Sequence, residues 1–139
     1  MFGWGLEADN KSNLNILGEV RLFKGLNKAL LRKLRIELFE KEYEAGEIIF
    51  SEGDNGKALY IVLSGAVNIV KKDGPGDRLL ALLGPGSYFG ELALINESSR
   101  FASAVAAEKT NLLIMYKSYF DNLLKGNSRI SSRVLLNLA

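Results

Sequence analysis

The chain has 139 residues, 47% of them hydrophobic and 24% charged, which fits one soluble globular domain with a single unstapled core. Eighteen basic residues against sixteen acidic ones give +2, and apart from Arg32-Lys33-x-Arg35 and Lys71-Lys72 they are scattered, so no nucleic-acid footprint is present. With no cysteine and no histidine, disulfides, thiolate metal sites, thiol nucleophiles and the commonest metal ligand and general base are excluded.

The chain opens on Met1-Phe2-Gly3-Trp4-Gly5, which lacks the basic start and sustained apolar stretch of a signal peptide, and no later run reaches membrane-spanning length. A cytoplasmic location is expected, with no membrane partner. The tripeptides Asn10-Lys11-Ser12 and Asn96-Glu97-Ser98 then read as chance glycosylation matches. Residues 1–14 carry too little apolar surface to fold alone and read as a tail, with Trp4 as its one candidate anchor.

From Asn27 the apolar residues Leu30, Leu31, Leu34 and Leu38 recur at helical spacing, which predicts an amphipathic helix capped by Asn27 and ending near Glu40. The period then shifts to two. Short runs at 47–50, 59–63, 67–70 and 79–83 are separated by Gly46, Gly53-Asp54-Asn55-Gly56, Ser64-Gly65 and Gly74-Pro75-Gly76-Asp77. Further strands are predicted over 101–106 and 112–116, and such a series argues for a sandwich, jelly roll or barrel. Tyr119, Phe120, Leu123 and Leu124 begin a helical ending. Gly126 interrupts it, and Ile130, Val134, Leu135 and Leu138 resume it, leaving no expected output domain behind it.

The segment richest in chemistry is Phe89-Gly90-Glu91-Leu92-Ala93-Leu94, followed by a polar loop and Arg100-Phe101-Ala102-Ser103. A strand ending in glycine, then a very short helix, points free N–H groups back toward Gly90 and makes an anion site. Gly90 admits close approach to the backbone, Arg100 supplies a two-pronged donor, and Glu91 suits a sugar hydroxyl. Anion, hydroxyl and apolar surroundings together suggest a nucleotide. Purely structural readings stand beside this one: Glu91 as a helix-start acid, and Arg100 as a solvated loop residue paired with Glu97.

This segment strongly resembles the phosphate-binding cassette of the cyclic nucleotide-binding domain family, and the likeness extends to Glu47–Asp54, Leu59–Val67, Leu22–Leu26 and the helices from Lys117. The nine-residue step from Glu91 to Arg100 looks more like the kinase and channel type of cassette than the longer catabolite-activator type. The resemblance implies a mainly β, α+β fold: an eight-stranded jelly-roll-like β-roll with N-terminal and C-terminal helices. It implies a tail over 1–14 and a domain over 15–139, with helices at about 19–39, a roll at about 41–116 and helices at about 117–138. It also implies a stand-alone regulatory sensor, not an enzyme, with no cofactor and with cAMP or cGMP as its ligand.

By the same resemblance Phe89, Gly90, Glu91, Leu92, Ala93, Arg100, Phe101, Ala102 and Ser103 bind the nucleotide. Arg100 and the Ala102 N–H hold the phosphate, Gly90 and Glu91 the ribose 2′-hydroxyl, and Ser103 lies near phosphate and base. Leu94 pressing on Tyr119, Phe120 or Leu123 would relay the signal to an effector protein or a second copy of the chain. Tyr60, Val62 and Leu83 read as core or cavity wall.

Phe101 departs from the family pattern, which has Ala, Ser or Thr there. Lacking the threonine linked to cGMP preference, it leans the expectation toward cAMP; on a strand it would share a face with Ser103, turned either to the ligand or into the core. The stretch Ser128–Ala139 would have to serve as any lid over the base. Cupin, dinucleotide, phosphate-loop and haem readings fail for want of histidines, of glycine spacing, of a Ser or Thr after Lys57, and of haem ligands. The remaining rival is an interaction module of this fold that has lost or changed its ligand.

Overall fold

A computed structural model of the chain describes residues 15–96, 98–126 and 128–138. The expected tail with Trp4, and the pairing partner Glu97, lie outside them. Residues 15–19 are helical and lead into a 3-10 turn, Arg21–Phe23. Helix α1 (Lys28–Glu37) starts at Asn27, whose side-chain oxygen accepts the Leu30 N–H at 2.9 Å, as the capping pattern predicts. It stops at Glu37, short of the expected Glu40, because β1 (Phe39–Tyr43) already pairs with β8 from Phe39 opposite Ile114.

The remaining strands are β2 (Ile48–Phe50), β3 (Ala58–Ser64), β4 (Val67–Asp73), β5 (Gly76–Leu83), β6 (Tyr88–Phe89), β7 (Ser103–Ala106) and β8 (Thr110–Tyr116). They form two antiparallel four-stranded sheets, ordered β1-β8-β3-β6 and β2-β7-β4-β5. This is the eight-stranded β-roll with flanking helices that the sequence implies. Strand β7 begins at Ser103, so Phe101 and Ala102 belong to the loop before it and not to a strand shared with Ser103.

The apolar run Leu59-Tyr60-Ile61-Val62-Leu63 is continuous because β3 is covered on both faces. Leu59, Ile61 and Leu63 join Leu113 and Met115 of β8 in a core shared with the helices. Val62 faces the other way, into the interior of the roll with Phe89, Ala104 and Leu112, and Tyr60 packs against it. Residues two apart on a strand share a face, so one strand separates the two cores.

Two helices close the chain, α3 (Lys117–Lys125) and α4 (Ser128–Leu138), after a four-residue helix α2 (Leu92–Ile95) in the cassette. Ile130 and Val134 of α4 are buried in the helical core, and Asn137 Nδ2 donates to the carbonyls of Leu22 and Lys24 at 2.7 and 3.1 Å. The last helix therefore docks on the 3-10 turn. Among its described residues none lines the cassette cavity.

Candidate functional site

Strand β6 ends at Phe89, and Gly90 (φ 77°) turns the chain into α2. The Ala93 N–H reaches back to the Gly90 carbonyl at 3.2 Å and the Leu94 N–H to Glu91 at 3.1 Å. A helix start leaves the preceding donors, here Glu91 and Leu92, without intrahelical partners. Both residues line a cavity of about 320 Å³, at the small end of the range for ligand sites. Phe89, Gly90 and Ala93 complete that wall; Arg100, Phe101 and Ala102 form a second, and Phe50 and Ile69 come from β2 and β4.

Arg100 is only 9% exposed, which overturns the solvated-loop reading. Its main chain is pinned to the turn after β2: the Arg100 N–H donates to Asp54 at 2.6 Å, and the Gly53 N–H donates to the Arg100 carbonyl at 2.8 Å. Its guanidinium donates to Ala58 O from Nη2 at 2.7 Å and to Gly90 O from Nη1 at 3.3 Å, and lies 4.1 Å from the centroid of the Phe50 ring. Beneath it Phe50, Tyr60 and Phe89 form an aromatic tier, with Tyr60 stacked on Phe89 at 5.3 Å.

No carboxylate lies within ion-pair distance of Arg100 among the described residues. Burial pulls its pKa below the ordinary arginine value, opposed by Tyr60, Asp54 and Glu91 nearby. A buried cation held by neutral carbonyls and a ring face keeps an unmet demand for an anion.

Gly90 lines the cavity, and a Cβ there would stand 2.6 Å from Arg100 Nη1 and 3.2 Å from Ala58 O, so a side chain at this position would displace the guanidinium. Gly56 does the same from the other side, where a Cβ would lie 3.0 Å from Arg100 Cζ. The two glycines are the seat of the guanidinium.

Half-buried Glu91 precedes α2 without capping it, and its carboxylate makes no hydrogen bond or ion pair among the described residues. Leu92 is exposed, whereas Phe89, Ala93 and Ala102 are buried. Ser103 is not among the cavity-lining residues; its Oγ accepts the Glu52 N–H at 2.8 Å. Phe101 is 69% exposed at the cavity rim, so it is not turned into the core. Leu94 is buried in one cluster with Phe120 and Leu123, against which Tyr119 packs.

Sequence reasoning did not single out Phe50, Ile69 or Gly56 for the site. Phe50 is hidden because β2 is irregular: Ile48 pairs with Val105 but Phe50 with Ala104, so residues of equal parity face opposite ways. Ile69 carried a usable signal, since it alternates with Val67 of the roll's core.

Among the described residues no helix is long and apolar enough to cross a membrane, and no cluster of metal-ligating side chains is present. Residues 40–127, more than half of the chain, match the family described as cyclic nucleotide-binding domain. The chain is 44% identical over 94 residues to the cyclic AMP receptor protein of Thermus thermophilus, a match over 66% of this chain and 44% of that protein. Among solved structures it resembles the N-terminal domain of a transcriptional regulator from Streptomyces coelicolor A3(2), with a TM-score of 0.83 and 27% identity, over 88% of this chain and 89% of that one. It also resembles the regulatory domain of Toxoplasma gondii PKA, solved with cAMP, with a TM-score of 0.76 and 32% identity, over 84% of this chain and 44% of that one. The chain spans about half the length, or less, of the curated relatives it matches. From the matched residues and the fold together, the chain belongs to the cyclic nucleotide-binding domain family.

Proposed function

We propose that this domain is a non-catalytic sensor whose cavity takes a cyclic nucleotide, cAMP in preference to cGMP. The observation that carries the reading is Arg100, a buried guanidinium with no carboxylate partner among the described residues, which lines a cavity beside the start of α2. A cyclic phosphate meets that demand with two charge-assisted hydrogen bonds, joined by N–H groups of the cassette and of Ala102. Glu91, whose carboxylate has no hydrogen bond or ion pair among the described residues, accepts from the ribose 2′-hydroxyl next to Gly90. Phe101 brings no hydroxyl to a guanine, which favours cAMP. An interaction module that had lost its ligand would gain nothing from keeping this cation buried.

Differential scanning of the protein with cAMP, cGMP and buffer alone tests this. At about 100 times Kd a ligand that binds only the folded state stabilises it by about 2.7 kcal/mol, expected to raise Tm by roughly 5–10 °C in a domain of this size. A larger shift with cAMP than with cGMP is expected at equal concentration. No shift with either at millimolar concentration would leave the interaction module as the better reading.

The signal leaves through Leu94, which packs into the same core as Phe120 and Leu123. A ligand that moves α2 must repack that core and shift α3, the usual way a small displacement becomes a discrete change. Bound cAMP is therefore expected to alter hydrogen exchange in α3 as well as in the cassette; protection confined to residues 89–103 would sink the relay. A cytoplasmic effector protein, or a second copy of the chain, reads the change; neither nucleic acid nor a membrane takes part.

A further inference from the structure

The two sheets of the roll are covered unequally. The sheet β1-β8-β3-β6 packs its outer face under the helices through residues such as Leu59, Ile61 and Leu113, whereas no residue of β2, β7, β4 or β5 joins that helical core. Val67, Ala104 and Ala106 turn into the roll, so their strand neighbours Asn68, Val70 and Val105 point outward. Ile48, Val105, Asn68 and Leu82 stand opposite one another in register, one row across all four strands, and Leu79 opposite Val70 belongs to the next row. Ile48, Leu79 and Leu82 are 60%, 57% and 62% exposed.

An antiparallel sheet with one bare face ordinarily turns polar side chains outward, and an apolar face marks a contact surface. Here the one polar member of the row is Asn68, whose side-chain amide makes no hydrogen bond among the described residues. The chain enters and leaves the described structure through the helical layer, with Leu17 in the helical core and Asn137 bound to Leu22 and Lys24, so neither end leads onto this face. We propose that the outer face of β2-β7-β4-β5 is a homodimer interface, in which a second copy of the chain stacks the same row against this one. A two-fold axis along the row sets Asn68 against its own copy. A primary amide carries both donor and acceptor and so satisfies its copy, as a lone asparagine does in the seam of a coiled coil. Stacked sheets lie about 10 Å apart, a gap that two facing asparagine side chains bridge. Four strands span only about 19 Å, small next to an obligate interface, so the dimer is expected to be weak and reversible. The inference is independent of the nucleotide reading, since the cavity lies on the inner side of this sheet.

Sedimentation equilibrium of the full chain from micromolar to millimolar concentration tests this. The mass is expected to rise from 15.3 kDa toward twice that value and no further. Leu82→Glu and Ile48→Glu, at opposite ends of the row, should each weaken association by roughly tenfold or more, because each buries two unpaired carboxylates. Asn68→Asp should do the same from the centre, and Arg32→Glu, exposed in the helical layer, should change nothing. Ile48 and Leu82 are exposed, so melting temperatures near that of the wild type verify an intact fold. The chain has no cysteine, so Asn68→Cys adds a single thiol. A short bismaleimide should trap a covalent dimer of that variant and not of Arg32→Cys. A wild type that stays monomeric at millimolar concentration overturns the interface. So does a dimer that survives both glutamate substitutions, or assembly beyond a dimer. A dimer sensitive to both glutamates but indifferent to Asn68→Asp overturns the amide pairing.

Discussion

Arg100→Ala is expected to weaken cyclic nucleotide binding by roughly thirtyfold or more, the effect of removing one partner of a desolvated charge pair, about 2–5 kcal/mol. The same change should leave the thermal midpoint of the free protein within a few degrees of the wild type. Two opposing terms produce that near balance. The guanidinium is buried with no carboxylate partner among the described residues, so its removal relieves a desolvation penalty. It also strips hydrogen bonds from the carbonyls of Ala58 and Gly90 and a contact from the Phe50 ring.

A structural arginine would behave in the opposite way, with a large loss of stability and no specific loss of affinity. Arg100→Lys restores the charge but not the two-pronged geometry and should recover only part of the affinity. Titration calorimetry and thermal unfolding of the three proteins separate the cases. Unchanged affinity in Arg100→Ala, or a collapse of the fold large enough to account for the loss, would remove Arg100 from the ligand site.

The strands with strong alternation or continuous apolar runs were legible in the sequence because their burial is local in cause: β3 is apolar throughout because both its faces are covered. Strand β1 was not, since Phe39-Glu40-Lys41-Glu42-Tyr43 buries only Tyr43 and follows a helix whose apolar spacing runs on through Leu38. The start of β7 was misplaced by two residues because Arg100, Phe101 and Ala102 look extended in sequence. Their course is set instead by bonds to the distant turn after β2.

Arg100 and Glu91 were legible as residue types at a telling spacing, but the surroundings of Arg100 were not. Ala58 is 42 positions away, and the ring of Phe50 is turned inward by a register shift that no parity rule anticipates. Ser103 has a structural task that its place in the motif does not show: its hydroxyl accepts the Glu52 N–H, and Glu52 in turn pairs with Lys71, which donates to the Phe101 carbonyl.

Gly90→Ala is the second substitution expected to act strongly, and it joins the fold to the site. At φ 77° an L-residue costs about 1–2 kcal/mol. The added methyl would also stand 2.6 Å from Arg100 Nη1, so the guanidinium must leave its seat. Gly86 provides the control, since it has φ 87° and nothing within 4 Å of an added Cβ. Gly86→Ala should therefore show the backbone cost alone, about 1–2 kcal/mol or roughly 3–6 °C in Tm, with nucleotide affinity near that of the wild type.

Gly90→Ala should lose more than that in Tm and, in addition, weaken binding by a factor approaching that of Arg100→Ala, because the anion donor is displaced without being deleted. The double variant Gly90→Ala, Arg100→Ala then distinguishes seat from backbone. With the arginine gone the methyl has space, so the affinity losses should be strongly non-additive, as expected for two residues acting through one contact. Additive losses would mean that Gly90 acts on the ligand through its own backbone, as the sequence alone suggested, and not through the position of Arg100.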